Sequence, residues 1–265
     1  MIIDFHCHVG SWGGVMDAAD TPQRTVGRLE QAGIGGALLM PFAGLFSNCA
    51  DHAADNDLVY RYCGAAPGRL FPAFTVNPYS GGAALDEIRR CAAEHGAKVL
   101  KLHPWLQGFS ISSPEMDKVA ELCRELGLAV VFHDGSPVYS HPLQLARLCR
   151  DFPGLTVVSG HAGLGDLWRE AIAAAQRYPD FIVCLSGPRE LAMAEILREV
   201  RPEQLCVGSD MSTSDRDDIV LWFRWAQFRK LAVPAAARRT IEEMTPARLL
   251  GLAQKGTPSS GGGNV

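Results

Sequence analysis

The chain has 265 residues, 47% of them hydrophobic and 20% charged, with 27 glycines, 16 prolines and 8 cysteines. That balance excludes a disordered, collagen-like or minimal disulfide-stapled protein and is enough for a large buried core. Twenty-five basic against 29 acidic residues leave a net charge of −4 with no long run of either sign, which argues against a nucleic-acid or anionic-membrane partner.

From the start, short β-branched apolar runs end in Gly, Pro, Asp or His, and each is followed by a longer segment with helical periodicity. Eight strands are expected: Ile2–His6, Gly35–Met40, Leu70–Val76, Ala97–His103, Leu128–Asp134, Leu155–His161, Phe181–Gly187 and Leu205–Asp210. Their starts lie 24 to 35 residues apart, about one β/α unit each. Helix ends are legible between them. Thr21-Pro22 is a cap followed by an N-terminal proline, with Gly33 as the stop. Ser112-Ser113-Pro114-Glu115 suggests a capping box, and Gly127 ends that helix. On the helix over Ile219–Lys230, Trp222, Trp225 and Phe228 are expected to share a core-facing side, although an interface use is open.

Almost wholly apolar strands such as Ala129-Val130-Val131-Phe132 suit a parallel sheet buried on both faces. Eight β/α units in about 250 residues predict a single-domain α/β protein, a (β/α)8 TIM barrel over residues 1–254, with a small, polar, flexible tail over 255–265. A doubly wound open sheet is the alternative, but no GxGxxG follows any strand. The scattered cysteines form no CxxC pair and are expected to be reduced. The first residues lack a basic signal-peptide region and no apolar run reaches a membrane span, so a cytoplasmic protein is expected.

In such a barrel the reacting groups stand at the C-terminal ends of strands. Five of the eight histidines fall there: His6 and His8 after strand one, His103 after four, His133 after five and His161 after six. Asp210 ends strand eight. Residues two apart on a strand point the same way, so His6 and His8 are expected to face the axis and Cys7 the surrounding layer. That is metal-ligand spacing, which His133 and Asp210 would complete from across the barrel. His52, His95 and His141 read as ordinary core or surface residues. Trp12 and Trp105 could wall a pocket for a flat substrate or simply pack over the rim.

The ordered segments Asp4-Phe5-His6-Cys7-His8, Lys101-Leu102-His103-Pro104, Phe132-His133-Asp134-Gly135, Ser159-Gly160-His161-Ala162-Gly163 and Gly208-Ser209-Asp210 resemble the amidohydrolase superfamily, specifically its amidohydrolase-2 branch of hydrolases and decarboxylases. Phe152–Leu155 and Ala247–Leu252 extend the resemblance, while Glu242–Ala247 departs from the Gly-Asn that often precedes that alanine. The resemblance implies one divalent transition metal, with zinc the first expectation, held by His6, His8, His133 and Asp210, and a catalytic role for His161 and Asp210. Carboxylated Lys101 bridging two metals is the binuclear alternative; otherwise Lys101 and His103 position substrate.

The expected activity is hydrolysis of a small amide, lactone or related ester. Asp210 would move the proton and His161 would donate to the oxyanion or shuttle that proton. Non-oxidative decarboxylation of a small carboxylic acid is the alternative, with Arg189 as the cation that holds the carboxylate. A metal-bound protein without catalysis is the remote third reading. The expected partner is a small-molecule substrate, and a homo-oligomer is left open.

Overall fold

A computed structural model describes residues 1–10, 20–46, 51–216 and 218–252. Trp12, Cys49 and the tail over 255–265 lie outside the described residues. The strands are β1 (Ile3–His8), β2 (Gly36–Met40), β3 (Leu70–Pro72), β4 (Val99–Leu102), β5 (Ala129–Phe132), β6 (Val157–Ser159), β7 (Phe181–Cys184), β8 (Leu205–Cys206) and β9 (Met211–Ser212). Between and after them run α1 (Pro22–Gln31), α2 (His52–Gly64), α3 (Gly82–His95), α4 (Pro104–Gln107), α5 (Pro114–Glu125), α6 (Pro142–Asp151), α7 (Trp168–Arg177), α8 (Glu190–Glu199), α9 (Ile219–Lys230), α10 (Ala235–Arg239) and α11 (Thr245–Leu249).

Every strand pair is parallel, in the orders β3-β2-β1-β9 and β4-β5-β6-β7-β8. Two links join these sheets into a closed barrel: a parallel bridge between Phe74 and Leu100, and a 2.8 Å bond from the Phe5 N–H to the Val207 carbonyl. Closure leaves no free sheet edge among the described strands. The expected barrel is therefore present, with one difference. The eighth strand is split, since β8 pairs with β7 and β9 with β1, and Gly208-Ser209-Asp210 bends between them.

Alternation along the strands sorts the core. Ile3, Phe5, Leu38, Met40, Val99, Val131, Val158, Ile182, Cys184 and Cys206 fill the barrel, and Leu249 and Leu250 join this cluster from the end of α11. A larger second cluster fills the space between strands and helices and contains Cys7, Leu100, Val130, Val157 and Val183. The divergent Glu242–Ala247 segment enters α11 through a π-turn over Thr240–Met244 without displacing those leucines. The seven described cysteines are free and buried. No described helix is long and apolar enough to cross a membrane.

Local expectations hold with two corrections. Thr21 caps α1 by accepting from the Arg24 N–H, and Gly33 and Gly127 adopt positive φ just past their helices. At α5 the cap is Ser113, one residue later than a Ser112/Glu115 box requires, so no box forms there; a reciprocal one links His141 and Gln144 at α6. On α9 the buried face is Leu221, Trp225 and Phe228, whereas Trp222 is 43% exposed. Positions i, i+4 and i+7 share a stripe, while residue 222 is displaced by roughly 120° from residue 228.

The decisive local feature lies in β1. Between Asp4 and Cys7 the strand carries one more residue than β2 does between Ala37 and Leu39, which is a β-bulge. Ile3 and Phe5 point into the barrel, and without the bulge His6 and His8 would point out of it. The Asp4 carboxylate sustains the bulge: Oδ1 accepts the His6 N–H (3.1 Å) and the Ser209 N–H (2.9 Å), while Oδ2 accepts Trp225 Nε1–H (2.8 Å). Burial pushes the Asp4 carboxyl pKa above its usual value, against the pull of these donors. Trp225→Phe, which keeps the ring but strips Asp4 of one donor, is expected to lower unfolding free energy by about 1–3 kcal/mol in urea titration. Asp4→Ala strands three buried donors and is expected to cost more; a near-neutral Asp4→Ala would show that the bulge holds without this carboxylate.

Candidate metal centre

Past the bulge, His6 and His8 share one side, as their spacing predicts, and the bulge turns that side to the axis at the C-terminal mouth of the barrel. Each has one nitrogen tied to the backbone: His6 Nδ1 lies 3.0 Å from the Gly160 carbonyl and His8 Nδ1 lies 3.4 Å from the Pro41 carbonyl. A carbonyl only accepts, so both Nδ1 atoms carry a proton and Nε2 is the coordinating position of each neutral ring. These positions converge on Asp210 Oδ1, at 3.4 Å from His6 Nε2 and 3.3 Å from His8 Nε2. The three donor atoms lie within 4.8 Å of one another and form the one such cluster among the described residues. Two imidazoles, with their outer nitrogens fixed by carbonyls, and a carboxylate fit a divalent transition metal.

Asp210 reaches this place from the break in strand eight. Its backbone is left-handed, with φ of 66°, and its N–H donates to the His6 carbonyl at 2.7 Å. A non-glycine residue in that region is strained and persists where its surroundings impose it. Gly208 permits the approach, because a Cβ there would sit 2.4 Å from His6 Cβ. Burial alone would raise the Asp210 carboxyl pKa, but His161, His8 and His6 outweigh it and hold the group well below the usual carboxylate range. Its side chain is 42% exposed, so the carboxylate faces the mouth.

The other strand-end residues gather around this set. His161 stacks obliquely on His6 with ring centres 4.5 Å apart. Its Nδ1 lies 2.9 Å from Ser186 Oγ, and the Ser186 hydroxyl donates to the Gly160 carbonyl at 2.6 Å. With that proton spent, Ser186 accepts from His161 Nδ1–H, and His161 Nε2 keeps a lone pair. Burial, reinforced by His133, holds His161 neutral, its pKa well below the ordinary value. His161 is therefore poised to accept a proton rather than to donate one.

His133 meets His161 edge-on at 4.4 Å and stacks on His103 at 3.8 Å. It stands outside the tight three-atom cluster, and among the described residues neither of its ring nitrogens has a hydrogen-bond partner. His103 has the opposite tautomer from its neighbours: Nδ1 accepts the Leu106 N–H at 3.4 Å, which leaves Nε2–H as a donor. Burial pushes the pKa of His103 down to about 2 and that of His133 down to about 3.

Lys101 is 1% exposed, and its Nζ lies 3.1 Å from His6 Nε2, on the same lone pair that a metal would use. Burial pushes its pKa down to about 8. Trp105 is exposed at the lip, 6.3 Å between ring centres from Tyr139 and 6.4 Å from His103. Arg189 is exposed at the start of α8, with no hydrogen bond or ion pair to the histidine cluster among the described residues.

The remaining histidines lie away from this cluster. His95 stacks on Tyr60, His141 caps α6, and His52 begins α2. Sequence reasoning missed three supports. Asp4 and Ser186 are described above. Asp134 is wholly buried and accepts Ser159 Oγ–H (2.6 Å), the His161 N–H (2.7 Å) and the Gly163 N–H (2.8 Å), so it pins the β6 turn that carries His161. The signal for Asp4 and Asp134 was a carboxylate inside an apolar strand end, where burial demands several donors.

A family model described as amidohydrolase, of the amidohydrolase-2 type, matches residues 3–252. Comparison with curated proteins finds no match. Among solved structures, a probable 2-pyrone-4,6-dicarboxylic acid hydrolase from Acinetobacter baumannii aligns with a TM-score of 0.68 and 16% identity, over 95% of this chain and 99% of that one. A 2,6-dihydroxybenzoate decarboxylase from Rhizobium aligns at 0.72 and 15%, over 94% and 98%. A 5-carboxyvanillate decarboxylase from Novosphingobium aromaticivorans, with bound manganese, aligns at 0.71 and 14%, over 95% and 97%. At these identities the likeness establishes a common fold.

Two outcomes are expected. Ser186→Ala frees His161 Nδ1 and removes one donor from the Gly160 carbonyl, so it should cut turnover about 10–100-fold while the melting temperature changes little; unchanged turnover would detach Ser186 from the site. The folded protein keeps His103 and His133 neutral, whereas the unfolded chain takes up protons below about pH 6.5. Stability of the metal-free protein should therefore fall between pH 7.5 and 5.5 by about 1.4 kcal/mol per imidazole. A flat profile of unfolding free energy would mean that these rings are protonated in the fold.

Proposed function

The chain belongs to the amidohydrolase family, in its amidohydrolase-2 branch, and we propose that it is a metal-dependent hydrolase acting on a small amide, lactone or related ester. The observation that carries this reading is the convergence of His6 Nε2, His8 Nε2 and Asp210 Oδ1, each imidazole oriented by a backbone carbonyl. These three would hold one divalent ion, with His133 as a fourth donor because its nitrogens are unclaimed among the described residues. Zinc is the ion we expect, and manganese is the alternative because one structural neighbour carries it. When bound, such an ion supplies Lewis acidity that brings the pKa of a water toward neutrality.

The protein's own groups divide the remaining work. Asp210 has a second oxygen facing the mouth, and that oxygen takes a proton from the attacking water and returns it to the leaving group. His161, neutral with Nε2 unprotonated, is a second acceptor beside it and can relay the same proton. His103 Nε2–H is the donor suited to an oxygen on which negative charge develops. Trp105 and Tyr139 form the exposed lip against which a flat substrate can lie. Lys101 gives up the His6 lone pair when an ion is bound; in the binuclear alternative, carboxylation of its amine would make it a bridging ligand instead.

Decarboxylation is the second reading, and the seat of its proton favours it as a rival. The acceptors that serve hydrolysis, Asp210 and His161, could equally deliver a proton to the carbon that loses carbon dioxide.

Elemental analysis of purified protein should find about one transition metal per chain, lost in His6→Ala, His8→Ala and Asp210→Ala. Asp210→Asn should reduce hydrolysis of a lactone or amide panel by about a thousandfold or more. No metal under any loading condition would overturn the proposal, two per chain would favour carboxylated Lys101, and carbon dioxide release without hydrolysis would favour the rival.

A further inference from the structure

An apolar stripe runs along the outer face of α9. Ile219 (66% exposed), Trp222 and Phe223 (54%) are spaced i, i+3 and i+4, so they share one side of the helix, opposite the buried side of Leu221, Trp225 and Phe228. Exposed Ala226 continues the stripe by one turn and exposed Lys230 ends it. Val220 flanks it, and Leu191 on the first turn of α8 is 80% exposed. Arg224 donates from Nη1 to the Pro188 carbonyl at 3.2 Å, which holds the start of α8 against the second turn of α9 and brings Leu191 to the side of the stripe. A single exposed apolar residue is ordinary, but these five leave on the order of 600 Å² in water, the upper end of what one monomer shows.

We infer that α9 is the contact of a twofold dimer, and that a second copy of this chain covers the stripe. The area fits that occupant. A stable dimer covers about 800 Å² on each partner, about 65% of it apolar in homodimers, so each chain must bring roughly 500 Å² of apolar surface. The stripe supplies this on one face. The charges fit as well: Asp215 and Asp218 precede the stripe, while Arg229 and Lys230 close it. Two copies of α9 laid antiparallel therefore bring unlike ends together, and the helix dipoles oppose in the same favourable sense. The twofold axis then falls between Trp222 and Phe223, so the two aromatic rings of each copy meet those of the other, and small Ala226 receives the partner's Ile219. This dimer is independent of the metal centre and of the hydrolase proposed above.

Sedimentation equilibrium of the purified full-length chain, from about 1 to 100 μM, is the test. Wild type should have twice the mass of the chain. Phe223→Glu and Trp222→Glu each set two carboxylates beside the axis and should raise the dissociation constant at least about 100-fold. Lys230→Glu should raise it about three- to tenfold, an effect that salt diminishes. Leu126→Glu, at an exposed position after α5, should leave the dimer intact. A wild type that is monomeric at 100 μM overturns the inference. A dimer that persists in both Phe223→Glu and Trp222→Glu overturns it too, since the contact is then on another face, such as the Trp105 and Tyr139 lip. So does a monomer that binds phosphatidylcholine vesicles, because the stripe then serves a lipid surface. Should the glutamate variants fail to fold, hydrogen exchange of wild type decides: protection of the α9 amides that rises with protein concentration supports the dimer, and protection that rises only elsewhere overturns it.

Discussion

A single buried carboxylate sets the orientation on which the site depends. Asp4 removes the His6 N–H from the strand ladder, accepts the Ser209 N–H from the broken eighth strand, and is itself held by the indole of Trp225. The bulge turns His6 and His8 inward. The Ser209 contact brings the neighbouring Asp210 within reach of both, and the indole binds the assembly to the outer helical layer. A carboxylate so deeply buried is stable only with several donors, so the three segments are held together by one requirement for polar satisfaction.

The same economy appears one layer higher at Gly160. Its carbonyl accepts from His6 Nδ1 and from Ser186 Oγ, and Ser186 in turn orients His161. One carbonyl thereby sets the tautomers of two rings and turns both Nε2 lone pairs away from their hydrogen-bonded side. Gly160 must be glycine for this, since a Cβ would lie 2.4 Å from the Phe132 carbonyl oxygen. His103, whose Nδ1 is taken by a backbone N–H, has the reverse tautomer and offers a proton instead. Imidazoles of one chemical type thus become acceptors or donors according to which backbone group meets them.

Below this polar mouth the barrel is filled by apolar side chains, with Lys101 as the exception. The division explains why the reactive groups stay neutral or charged as they do. Burial keeps His6 and His161 unprotonated, while Asp210, open to the mouth, stays ionised. Such a centre supports more than one reaction, which is consistent with a family whose members with this fold include a hydrolase and decarboxylases. Trp105 and Tyr139 stand exposed at the rim of this centre.

Much of this was legible in the chain. Apolar runs at regular spacing determine a parallel barrel because each must bury two faces, and the positions of His6, His8, His103, His133, His161 and Asp210 at strand ends follow from those runs. The helix caps at Thr21 and Ser113 are local chemistry and read correctly to within a residue. What the sequence could not determine was direction. An alternating strand has two faces, and a one-residue bulge exchanges them, so the inward turn of His6 depended on Asp4 meeting Ser209 and Trp225 from 205 and 221 residues away. The tautomers depended likewise on which carbonyl or N–H lay opposite each ring. Periodicity is a property of neighbours along the chain; polar satisfaction is settled between segments that only the closed barrel brings together.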